Sequence, residues 1–165
     1  MATHLSAISE RIFTLCKNKR FDEARHLYMD LVDQGAIDDR DPRTIALRAS
    51  IEGLAGNLDR EIELLEKART IEPQHAGVNY SLARSYIRIE KYAASLAASE
   101  AVIKIESKRD NQPFTSSSIF LAAYSLARLK DETRFKYYFQ LISTDQSEWV
   151  RDQLISKKDL ELLLT

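Results

Sequence analysis

At 165 residues, with 44% hydrophobic and 30% charged side chains, the chain is long enough to bury one sizeable core and too apolar to be dominated by disorder. Its 24 Lys plus Arg against 25 Asp plus Glu leave no positive excess to hold nucleic acid by neutralising phosphates. A single cysteine, Cys16, excludes an intramolecular disulfide and a thiolate metal cluster.

Residue preferences are helical throughout: Ala, Leu, Glu, Lys and Arg recur, Gly and Pro mark breaks, and strand-like alternation is absent. The first predicted helix covers about 4–17, with Ile8 and Ile12 on its apolar face. Its start, "MATHLSAISERIF", carries Glu-Arg where a signal peptide needs an unbroken apolar stretch, and no run elsewhere approaches the length of a membrane span. A cytoplasmic protein is the expectation. In "NKRFDEARHLYMDLVDQG", Phe21, Ala24, Leu27, Tyr28 and Leu31 form one helical face and Gly35 supplies the stop.

The acidic run "DDRDPR" at 38–43 can be read as a cation site. Asp41 before Pro42 is better explained as a helix start, since proline is tolerated in the first turn and the helix dipole favours carboxylates there. The helix that follows covers about 42–55, with Ile45 and Ala49 facing inward. In "GNLDREIELLEKARTIEP", residues 56–73, Asn57 or Asp59 can cap a helix whose face is Leu58, Ile62, Leu65 and Ala68, and Pro73 prevents continuation.

A helix at about 76–89, carrying Leu82, Ala83 and Tyr86, precedes the amphipathic "EKYAASLAASEAVIKIE". Matching Phe21, Leu58 and Tyr92 gives separations of 37 and 34 residues, and Leu31, Ala68 and Val102 fall in the same register. A period of that length predicts stacked helical hairpins. A fourth pair at about 115–129 and 131–143 follows the lengthened connection "SKRDNQPFTSSS", with Glu132 as the counterpart of Tyr92. The remaining "DQSEWVRDQLISKKDLELLLT" predicts a helix at about 146–156 and a short final one, with Trp149, Val150 and Leu154 covering the exposed end of the stack. The terminal "LELLLT" is read as docking onto the preceding helix, with homo-dimerisation as the alternative.

Candidate chemistry is sparse. His4, His26 and His75 lie in three separate segments without ligand spacing, so no metal site is expected. Cys16 and His26 could meet across the first hairpin, the minimum for nucleophilic catalysis, but their surroundings offer no third group and no oxyanion loop. The glycines stand apart at 35, 53, 56 and 77, which excludes a phosphate-cradling loop. Neither a cofactor nor an enzymatic activity is predicted.

Residues 56–73 resemble the second helix and closing turn of a tetratricopeptide repeat, with Gly56 in the tight turn, Leu58 opening the face, Ala68 packing closely and Pro73 ending the unit. "VNYSLARSYIRIEKYAASLAASEAVIKIE" resembles a whole repeat, with Leu82, Ala83, Tyr86 and Tyr92 in place. Two departures stand out: Glu61 occupies a position where that family usually has a small residue, and Ser107 replaces a closing proline. The resemblance implies an all-α fold, a right-handed superhelix of about four antiparallel hairpins at approximately 4–36, 42–73, 76–107 and 115–143, with a C-terminal cap at 146–164, all in one domain. "TLCKNKRFDEARHLYMDLVDQG" is also similar to a pentatricopeptide repeat, an RNA-reading relative. That likeness covers one unit only, so nucleic acid is the lesser expectation.

The tetratricopeptide resemblance further implies a protein or peptide partner held in a concave groove lined by the first helix of each pair. Carried over by position, it selects Ser9, Phe13, Cys16 and Lys17, then Ala46, Ser50, Gly53 and Leu54, then Tyr80, Arg84, Ile87 and Arg88, and finally Phe120, Tyr124, Ala127 and Arg128. Of these, Phe13, Lys17, Ser50, Tyr80, Arg84, Ile87, Arg88, Tyr124 and Arg128 are the expected partner contacts, since aromatics and Arg favour interface hot spots. A two-carboxylate clamp of the chaperone-tail-binding type is not implied, because Ser9 and Phe13 stand where that subgroup has Lys and Asn. An adaptor or secretion-type chaperone fits the length and the four repeats.

Overall fold

The computed structural model describes residues 2–164, with side chains from Leu5 onward. Its contacts divide into two compact units, residues 1–73 and 74–165. The His4 side chain lies outside the described residues.

The first unit holds four helices: α1 (Ala2–Lys17), α2 (Phe21–Asp33), α3 (Pro42–Leu54) and α4 (Leu58–Ile71). Ile12, Cys16, Ala24, Tyr28, Leu47 and Ile51 form one apolar cluster shared by α1, α2 and α3. On α4, Leu64, Leu65 and Ala68 are buried, and Ala68 is wholly inaccessible, which is why a residue without a longer side chain stands there. The acidic run behaves as a helix start: Asp41 accepts a hydrogen bond from the Arg43 backbone N–H at 2.8 Å, and Pro42 opens α3. Asn57 does not cap α4 with its side chain; its Nδ2 donates to Glu52 Oε2 at 2.8 Å instead. Glu52 also takes two hydrogen bonds from the Arg25 guanidinium, at 3.0 and 2.8 Å, tying α2 to α3.

The departure at Glu61 has a local explanation. Gly53 on α3 faces it, and a Cβ at Gly53 would overlap the Glu61 carboxylate. The missing side chain on one helix makes room for the large one on the next.

The turn inside each helix pair reuses one backbone device. Lys19, Gly56, Glu90 and Lys130 have φ of 58°, 89°, 60° and 58°, and each stands two residues before the second helix of its pair. Left-handed backbone at that point closes a tight turn, and only at position 56 is it supplied by glycine.

The second unit contains α5 (Ala76–Arg88), α6 (Tyr92–Glu106), α7 (Thr115–Leu129) and α8 (Glu132–Leu141), followed by strands β1 (Ser147–Val150) and β2 (Gln153–Ser156) and helix α9 (Lys157–Leu162). Helix α5 packs on α6, α6 on α7 and α7 on α8. Small buried residues stand on both packed helices, Ser95, Ala98 and Ser99 on α6 and Ala122 and Ser125 on α7, and Ser125 Oγ donates to Ser95 Oγ at 3.1 Å. His75 caps α5, its Nδ1 accepting from the Val78 N–H at 3.2 Å. The long connection into α7 is fastened by Glu106, a side chain only 1% exposed, whose carboxylate accepts from the Phe114 N–H at 3.0 Å and the Thr115 hydroxyl at 2.7 Å. A buried carboxylate at a helix N-terminus satisfies donors that have no partner within the helix.

The C-terminal segment corrects the helix expected at about 146–156. Residues 146–156 form an antiparallel hairpin instead of a helix, with Val150 paired to Gln153 and Arg151–Asp152 as a two-residue turn in which both φ are positive, 50° and 66°. Of the three residues expected to cover the stack, Val150 is buried, whereas Trp149 and Leu154 form an outward cross-strand pair, 61% and 54% exposed. The final helix does exist. Its capping box joins Ser156 to Asp159, and Leu160 is fully buried.

Candidate partner-binding face

In the first unit the expected contact residues are unevenly available. Phe13 and Lys17 are exposed one helical turn apart on α1, and Leu54 is exposed at the end of α3. Ser50 and Ser9 direct their hydroxyls to the Ala46 and Leu5 carbonyls of their own helices, at 3.0 and 2.8 Å. Gly53 lies under Glu61, and Cys16 is a core residue whose thiol is pushed up in pKa by burial. His26 is exposed, beside a cleft that Arg11, Leu15, Arg20 and Asp30 also line, so Cys16 and His26 are not brought together. A thiol that resists ionisation is a poor nucleophile.

In the second unit the first helices of the two pairs, α5 and α7, touch each other and present one face. Tyr80 on α5 is half-buried, stacked on Phe114 with ring centres 5.0 Å apart, and the Arg84 guanidinium lies 5.9 Å from the Tyr80 ring centre. On α7, Arg128 lies 5.3 Å from the ring centre of Tyr92, which is itself 6.3 Å from Tyr124. Arg84 and Arg128 are exposed and Arg88 half-buried, so the face carries positive charge over aromatic rings.

Ile87 and Tyr124 do not reach the surface: they are 2% and 7% exposed, and burial raises the pKa of the Tyr124 phenol. Phe120 and Ala127 are completely buried.

Ser117, Glu90 and the hairpin residues Gln146, Glu148, Val150 and Arg151 also lie at this face. Gln146 donates to the Ser116 carbonyl at 3.1 Å, Ser117 donates to Glu148 Oε1 at 2.5 Å, and Arg151 pairs with Glu90 at 2.6 Å. No motif marks them, because a two-residue turn of Arg-Asp lacks the Asn-Gly or Asp-Gly signature of such hairpins. Among the described residues no group of three or more His, Cys, Asp or Glu could hold a metal ion, and no helix is long and apolar enough to cross a membrane.

No protein-family model and no curated protein matches the sequence. Solved structures do match. A Podospora anserina protein of the kinesin-light-chain kind, built from nearly identical TPR-like repeats, superposes with a TM-score of 0.69 at 18% identity, over 86% of this chain and 74% of that one. A variant of it gives the same TM-score at 19% identity, over 83% and 72%. MamA from AMB-1 gives a TM-score of 0.60 at 19% identity, over 86% and 72%. The antiparallel helix pairs, the left-handed turn repeated within them and these superpositions together show that the chain has the tetratricopeptide-like repeat fold.

Proposed function

We propose that the chain is a non-enzymatic interaction scaffold that binds an acidic, partly apolar segment of a partner protein on the α5–α7 face. The observation that carries this reading is the pair of exposed guanidinium groups, Arg84 and Arg128, each lying over a tyrosine ring on or beside the first helix of successive pairs. Arg offers a carboxylate two parallel donors, and the rings beneath offer apolar contact and hold the guanidinium groups in place. Arg88, one turn from Arg84, adds charge, and Phe13 and Lys17 provide a second contact region in the first unit. The near-zero net charge weighs against RNA as the ligand.

Affinity capture with and without nuclease, followed by mass spectrometry, tests the class of partner. The double variant Arg84→Ala/Arg128→Ala tests the face. The expected outcome is a protein recovered after nuclease treatment and bound at least tenfold more weakly by the double variant in calorimetry, about 1.4 kcal/mol. Recovery of RNA alone would overturn the scaffold reading. Unchanged affinity in a folded double variant would move the binding surface elsewhere.

A further inference from the structure

The hairpin lies against the same two helices, α5 and α7, and leaves Arg84 and Arg128 exposed. Strand β1 starts at the N-terminal turn of α7, held by Gln146 to the Ser116 carbonyl and by Ser117 to Glu148. Its turn reaches the opposite end of α5, where Arg151 pairs with Glu90. Between those anchors β1 packs on α5 and its Val150 is 3% exposed. The inward side of β1 therefore presents one carboxylate, Glu148, and one apolar side chain, Val150, across the face formed by α5 and α7. That is the chemistry of an acidic, partly apolar ligand, supplied by the chain itself.

The attachment is weak at the middle and firm at both ends. The Arg151 and Glu90 side chains are 40% and 54% exposed, so water screens their attraction. Trp149 and Leu154 on the other side of the hairpin are exposed, and a two-stranded hairpin alone is marginally stable. By contrast, Ile142 before the hairpin and Leu160 after it are buried. Lys157 Nζ donates to the Ile142 carbonyl at 2.6 Å, and Lys130 Nζ donates to the Leu163 and Leu164 carbonyls at 2.9 and 3.1 Å. The segment can lift without leaving.

We propose that the hairpin Ser147–Ser156 is an autoinhibitory strap: it occupies part of the α5–α7 face, leaving Arg84 and Arg128 accessible, and a partner segment must displace it to seat along the rest, an inference that rests on the scaffold reading of that face. Tethered at both ends, the strap competes at an effective concentration on the order of millimolar. A partner has to outbind it, which confers selectivity.

The test needs no natural partner, so its failure is distinguishable from failure of the scaffold reading. In the full chain, Arg151→Glu sets like charges against Glu90, and Val150→Asp independently spoils the buried contact. Hydrogen-exchange mass spectrometry should show hairpin amides exchanging at least tenfold faster in both variants, with α5–α8 protection unchanged, and the charge swap Glu90→Arg/Arg151→Glu should restore slow exchange. A fluorescent peptide with the native sequence of residues 145–157, followed by anisotropy, should then bind the Arg151→Glu and Val150→Asp chains at least tenfold more tightly than the native chain. Equal peptide binding by native and opened chains, or none by opened chains, overturns the strap. Wild-type exchange in both variants overturns it as well.

Discussion

A glycine in the middle of a helix pair costs helix stability, so Gly53 needs a reason. Its reason is Glu61, whose carboxylate occupies the space a Cβ would take. The two positions are therefore coupled, and the effect of filling one depends on the other. Gly53→Ala is expected to stabilise the native chain by less than its helix propensity allows, because the end of the flexible Glu61 side chain must swing aside. In a Glu61→Ala background the same substitution should stabilise by about 0.5–1 kcal/mol, the ordinary gain of alanine over glycine in a helix. Urea unfolding of the four chains of this cycle measures it. An equal gain in both backgrounds would mean that Glu61 yields its place at no cost and that the glycine has another cause.

At the scale of elements, what the sequence revealed and what it hid have separate causes. Helices were legible because their apolar residues recur at three and four positions and because Asp41-Pro42, Gly35 and Pro73 punctuate them. The left-handed turn residue was legible only at Gly56, since Lys19, Glu90 and Lys130 adopt the same φ without any compositional mark. The hairpin was hidden more thoroughly. Its strands are four residues each, too short for alternation to show, and its turn places Arg151 and Asp152 in the backbone region that glycine or asparagine ordinarily fills. Relieving that mismatch gives a direct prediction: Asp152→Gly, at φ of 66°, should stabilise the hairpin by about 0.5–1 kcal/mol, net of the freedom glycine gains in the unfolded chain. Hairpin amides should then exchange roughly two- to fivefold more slowly. Unchanged or faster exchange would show that Asp152 already sits comfortably.

Across the whole molecule, the face that was read from helical positions proved only half available, because burial is a property of everything packed against a residue. Arg84 and Arg128 are exposed as their positions imply, while Ile87 and Tyr124 are buried. Titration behaviour is likewise set by tertiary neighbours that no local pattern displays, as one group from each unit illustrates. In the first unit, hydrogen bonds from Arg25 hold the Glu52 carboxyl below its usual pKa range. A group depressed by folding adds stability that is full above its unfolded pKa and lost as pH falls through the folded value. In the second unit, burial and a hydrogen bond to Glu100 push the Tyr138 phenol up to about 12. That contribution is full below the unfolded phenol value of about 10 and is lost as pH rises from there towards the folded value. Glu100 also pairs with Arg134 at 2.6 Å, which partly offsets its effect on the phenol. The expected stability profile falls at both extremes for different residues. Glu52→Gln should cost about 1–2 kcal/mol at neutral pH, discounted because Arg25 is one-third exposed, and should flatten the decline on acidification below about pH 4.5. Tyr138→Phe should leave the acid limb unchanged and flatten the alkaline one above about pH 10. Urea midpoints measured across pH for the native chain and both variants decide the matter. A variant curve running parallel to the native one would remove that residue from the account.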